Sequence, residues 1–185
     1  MVVPAVAAAF ARDVVVSEAV DLPVSARDER RRQYLSTALL DVVERAHRPA
    51  WERLLGVADV DLFAAGLNFV FGEADPRAGV AVMSLARLRH ADTEVFRRRA
   101  ETEAIHELGH AYGLGHCGNP RCVMWFSNTL AETDRKGTAL LRGPRTRPRT
   151  RARAVTSRSG PGASRTRKPP KVQKGRSPPG CLVRS

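Results

Sequence analysis

Three histidines, one glutamate and one glycine stand in a chemically suggestive spacing in His106-Glu107-Leu108-Gly109-His110-Ala111-Tyr112-Gly113-Leu114-Gly115-His116. On an α-helix, His106 and His110 sit one turn apart on a single face. Two neutral imidazoles aimed the same way can share a Zn²⁺ ion. Glu107 points off that face toward the position a metal-bound water would take. Zinc makes such a water acidic enough for a carboxylate to accept its proton. Gly113 suits a left-handed turn that ends the helix and brings the chain back. His116 then reaches the metal as third ligand, and the fourth position stays open, as catalytic zinc requires. These residues predict a metallohydrolase centre with Glu107 as the general base.

Eight residues beyond His116 comes Met124, in Cys122-Val123-Met124-Trp125-Phe126. The extended histidine motif followed by a methionine turn resembles the metzincin signature. His116-Cys117, Cys122 just before Met124, Phe126-Ser127-Asn128 and Asp134-Arg135-Lys136-Gly137 narrow the resemblance to the archaemetzincin family. Gly66 to Gly72 and Val82 to Leu88 are also similar to it, and the likeness covers roughly residues 30 to 137. The resemblance implies an α/β (α+β) zincin domain: a twisted mixed sheet with an antiparallel edge strand and a long active-site helix. It implies a catalytic zinc on His106, His110 and His116, with Glu107 as base and Met124 in the turn. It also implies a second zinc on four cysteines, of which Cys117 and Cys122 match the first pair. The second pair should follow shortly after Gly137 and is missing, so this second site is incomplete.

That absence coincides with a change in composition. Residues 138–185 hold 14 of the 31 lysines and arginines and none of the 19 aspartates and glutamates, so the +12 surplus belongs to this tail. Rich in Arg, Pro and Ser, the tail has little apolar surface to offset the entropy of ordering it, and disorder is expected. Residues 1–137 are then the catalytic domain, with an N-terminal strand of the family missing. Three readings compete for the tail. One is a change of reading frame near residue 139, giving an aberrant C-terminal end. Another is an inert extension. The third is an arm that holds nucleic acid or another polyanion through phosphates. No aromatic residue is interleaved for base stacking, so such binding would be non-specific.

About 137 residues suffice for one core. Three cysteines are too few for a disulfide framework and fit metal binding or reduced thiols. No apolar run is long enough to span a bilayer. The opening Met1-Val2-Val3-Pro4 lacks a positive start, and Arg12-Asp13 interrupts the apolar run. A cytoplasmic, monomeric protein without membrane association is expected.

The elements that would position the motif follow from periodicity. Residues 4–12 read as the end of a helix, Val14 to Val16 as a short strand, and Tyr34 to Ala46 as an amphipathic helix. Asp59 to Phe63, Phe69 to Phe71 and Val80 to Leu85 read as strands, with Gly72 to Gly79 as a loop. In the metzincin resemblance, residues 69–71 become the edge strand, able to pair with an extended peptide. Thr93 to Tyr112 is the active-site helix, helped by Glu94 at its start. His47 and His90 read as surface histidines. The expected function is peptide-bond hydrolysis by a zinc metalloprotease, endopeptidase or aminopeptidase, on a peptide or protein substrate. The alternatives are an inactive truncated remnant and polyanion binding through the tail.

Overall fold

The structure, a computed structural model, describes residues 2–141 and, as backbone, 180–184. In chain order the first half holds α1 (Val3–Phe10), β1 (Val15–Ser17), β2 (Arg27–Asp28), β3 (Gln33–Leu35), α2 (Ser36–Ala46) and β4 (Leu54–Ala58). Then come β5 (Leu62–Phe63), β6 (Gly72–Asp75), β7 (Val80–Ser84), α3 (Thr93–Ala111), α4 (Leu130–Thr133) and β8 (Gly180–Arg184).

The two strands at the heart of the domain are near-continuous apolar runs, the pattern of strands covered on both faces. β4 and β7 pair in parallel from Leu54 opposite Val80 to Ala58 opposite Ser84. Their alternate residues divide the core. Leu55, Ala81 and Met83 pack with Ala104, Ile105 and Leu108 of α3, whereas Leu54, Val80 and Val82 pack with Leu39, Leu40 and Val43 of α2. One helix layer thus covers each face, as the α/β expectation requires. β6 runs antiparallel to β7 and closes the sheet, whose order is β1-β8-β4-β7-β6. β2, β3 and β5 make a second, three-stranded sheet.

Several sequence expectations shift. β4 was not foreseen, because Leu54-Leu55-Gly56-Val57-Ala58 lacks alternation. The strand expected at Asp59 to Phe63 shrinks to Leu62–Phe63. Asp59 and Asp61 instead pair with Arg89 and Arg87 at the surface. The edge strand is Gly72–Asp75, inside the expected loop; residues 69–71 contribute only a bridge from Val70 to Leu62. Beyond residue 137, the Val123 amide donates to Ala139 O at 3.1 Å and Leu140 packs on the α3 core. Gly180–Arg184 pairs antiparallel with both β1 and β4. Cys181-Leu182-Val183 is the apolar, strand-compatible part of that segment. Most of the basic tail, 142–179, lies outside the described residues. Among the described residues, no helix is long and apolar enough to cross a membrane.

Candidate metal centre

α3 is built to deliver the histidines. Its N-cap, Asp92, accepts hydrogen bonds from the amides of Glu94 (2.8 Å) and Val95 (3.4 Å). Glu94 in the first turn suits the positive end of the helix dipole. After Ala111 the helix ends as a Schellman turn: Gly113 N–H donates to His110 O at 2.8 Å, and Leu114 N–H to Gly109 O at 2.9 Å. Gly113 takes φ +82°, a conformation that disfavours other residues. The reversal carries His116 back over the helix.

The three imidazoles converge. His110 Nε2 lies 3.1 Å from His106 Nε2 and 3.2 Å from His116 Nε2. Nitrogens about 2.0–2.1 Å from a tetrahedral ion stand about 3.3 Å apart, so this donor set fits zinc. Carbonyl oxygens fix two tautomers: His106 Nδ1 donates to Val123 O and His110 Nδ1 to Leu114 O, both at 2.8 Å. Each bond leaves the Nε2 lone pair facing the cluster. Burial pushes the His106 pKa down to about 3, helped by the Lys136 ammonium. It lowers His110 and His116 as well. All three are therefore neutral near pH 7, the form that binds a metal. Among the described residues, this is the group of three or more His, Cys, Asp and Glu that could hold an ion.

Met124 packs against α3 at Gly109, one residue before His110. The turn around it is closed by the Trp125 amide donating to Cys122 O at 3.0 Å and the Cys117 amide to Met124 O at 2.8 Å. A methyl group on Gly109 would overlap the Met124 sulfur, so that glycine makes room for the thioether. Cys117 and Cys122 are free thiols, half-buried and buried, and join no third metal donor among the described residues.

Glu107 is fully inside, 5 % exposed, with its side chain against the backbone of β6. Burial drives its pKa well above the usual carboxylate range, and the neighbouring Glu103 pushes it further. Burial raises Glu103 too and lowers Lys136. Glu103 and Lys136 were not foreseen. Glu103 lies one helical turn before Glu107, a signal that could have found it, whereas Lys136 stood only within the Asp134-Arg135-Lys136-Gly137 resemblance, with no role attached. A cavity of about 630 Å³ joins these groups to the histidines and to β6, and Leu67, Leu114 and Phe126 line its exposed rim. Outside the site, His90 is exposed as expected, but His47 is half-buried with an unpartnered Nε2.

Two imidazoles on a helix and a third from the turn beyond it, in a domain whose sheet ends in an antiparallel strand, make an α/β domain with a cluster that could hold a metal ion. The model of peptidase family M54 matches residues 15–143, and the chain belongs to that family. It is 49% identical over 115 residues to an archaemetzincin from Methanopyrus kandleri, covering 62% of this chain and 65% of that protein. An archaemetzincin from Archaeoglobus fulgidus is 43% identical over 133 residues, 72% of this chain and 79% of that one. The chain thus spans just under two thirds of the Methanopyrus relative's length. The crystal structure of the A. fulgidus protein complexed with malonate superposes with a TM-score of 0.66 at 42% identity, covering 74% of this chain and 82% of that one. A zinc-dependent peptidase from Methanocorpusculum labreanum gives a TM-score of 0.69 at 29% identity, covering 76% and 87%.

Proposed function

We propose that this chain is a zinc metallopeptidase in which His106, His110 and His116 hold the ion and Glu107 is the general base. The observation that carries the reading is the convergence of three imidazoles, with His110 Nε2 3.1 Å from His106 Nε2 and 3.2 Å from His116 Nε2, beside a buried carboxyl group in the same cavity. Zinc held there supplies Lewis acidity, which acidifies a water and polarises a carbonyl. The remaining work falls to the chain. β6 is the edge of its sheet and lines the cavity, so an extended peptide has backbone partners there. Burial favours the protonated form of Glu107 in the metal-free chain. With a cation held on the adjacent imidazoles, the Glu107 carboxylate would be favoured and would take the proton of the attacking water. Glu107 then returns that proton to the leaving amine. Met124 supports the helix that carries His106 and His110. Free thiols at Cys117 and Cys122 support a reducing, cytoplasmic setting.

The test is cleavage of internally quenched and N-terminally blocked peptides by the zinc-loaded chain, with and without a chelator. Cleavage of the blocked peptide marks an endopeptidase; cleavage only with a free amine marks an aminopeptidase. One observation favours a second reading, an inactive remnant: Cys117 and Cys122 lack further metal donors among the described residues. Zinc-loaded, folded protein that cleaves neither peptide selects it.

A further inference from the structure

Glu107 is not alone in its buried wall. Glu103 is 3 % exposed and Lys136 4 %, and both line the cavity that holds the histidines. Glu103 and Glu107 are one turn apart on α3, and each carboxyl group influences the other electrostatically. Glu103 Oε2 is buried without a hydrogen-bond partner. Lys136 arrives from the chain beyond α4, and its ammonium attracts both carboxyls. Among the described residues lining the cavity, it is the only lysine or arginine. On the opposite side, Gly72 of β6 leaves no space: an added methyl would sit 2.5 Å from Glu107 Cγ and 2.6 Å from Cδ.

Two buried carboxyl groups this close are costly unless a proton or a cation compensates them. Three buried charged side chains on one wall therefore need a purpose that apolar packing would not serve. Resting on the reading of Glu107 as the base, we propose that Glu103 and Lys136 are positioning residues that hold the Glu107 carboxyl between the backbone of Gly72 and the three imidazoles. Neither touches the reacting atoms. Glu103, one turn earlier on α3 and buried beside it, limits the rotation of the Glu107 carboxyl. Lys136 supplies the positive charge that lets the pair stay buried and couples the post-α4 segment to the base.

The experiment compares full-length wild type with Lys136→Met, Lys136→Arg and Glu103→Gln, measuring zinc per chain, thermal unfolding, and kcat and KM on a peptide the wild type cleaves. Lys136→Met is expected to keep its zinc and its KM while kcat falls about 10- to 100-fold, as for other residues that orient a catalytic group. Lys136→Arg should recover part of that loss. An unchanged kcat, or a KM that rises with kcat intact, overturns the proposal. Should wild type cleave nothing, the functional reading fails separately, and a thermal cycle still decides the positioning claim. Glu103→Gln should shift the melting temperature by a different amount in the Glu107→Gln background than in wild type. Equal shifts in the two backgrounds overturn it. Because glutamine is isosteric, that arm also serves if Lys136→Met does not fold.

Discussion

His106 Nδ1 donates a hydrogen bond of 2.8 Å to the carbonyl oxygen of Val123, the residue just before Met124. That bond joins the helix carrying two of the histidines to the methionine turn, and it leaves the His106 Nε2 lone pair facing the cluster. Through His106 and Val123, 17 residues apart in sequence, the motif and the methionine turn thus act as one unit.

Replacing the proposed base separates chemistry from binding. Glu107→Gln keeps the shape of the side chain and removes the proton acceptor. Zinc content should stay at the wild-type level while kcat falls by about two to four orders of magnitude. Wild-type turnover in this variant would exclude Glu107 as the base.

Acidification should destabilise the metal-free protein through His106. Its folded pKa is about 3 against 6.5 when unfolded. Its contribution is therefore complete above pH 6.5 and is lost as the pH falls toward 3, because only the unfolded chain takes up the proton. The slope approaches about 1.4 kcal/mol per pH unit. His110 and His116 add in the same sense. Glu103 and Glu107 act oppositely: their raised folded values favour the fold at low pH, and that gain is lost as the pH rises through them. His106→Gln isolates the histidine. Denaturant unfolding of the two metal-free proteins between pH 4 and 7, about the span in which His titrates, should show wild type losing more stability on acidification. Equal slopes would refute the assignment.

Gly109 should resist even the smallest side chain. Its methyl would overlap the buried Met124 sulfur. Gly109→Ala is expected to cost about 1–3 kcal/mol by overpacking and to weaken zinc retention as Met124 moves. A melting temperature unchanged from wild type would show that the thioether has free space.

The segment after the methionine turn is anchored by charge. Arg99 is 8 % exposed, and its Nε and Nη2 each donate to an Asp134 oxygen at 2.7 Å. Asp134→Ala strands a buried guanidinium and should cost about 1–3 kcal/mol. Limited proteolysis should then cut the 127–141 region faster; an unaltered pattern would mean that α4 holds without the pair.

The metal motif was legible because helical spacing alone aligns His106 with His110, and because Gly113 marks the reversal that brings in His116. The α/β layering was also legible, since the amphipathic α2 carries clear periodicity and β7 is an apolar run that follows a turn signal at Gly79. β4 was not, because a strand buried on both faces shows no alternation. Gly72–Asp75 read as a loop for a related reason: Gly72, Glu73 and Asp75 have low strand propensity, and here pairing with β7 overrides it. The burial of Glu103 and Lys136 beside the site was not legible, because a charged residue in sequence reads as solvated surface. Only the close approach of α3, β6 and the post-α4 chain buries them.

Zinc per purified chain, measured by elemental analysis on the intact protein and on His110→Ala, tests the central claim most directly. His110 Nε2 is the atom closest to both other imidazoles, so its loss should dismantle the cluster. About one zinc in the intact chain, absent from folded His110→Ala, is the predicted result. Folded wild-type protein that binds no zinc, or a His110→Ala variant that keeps it, would contradict the three-histidine centre.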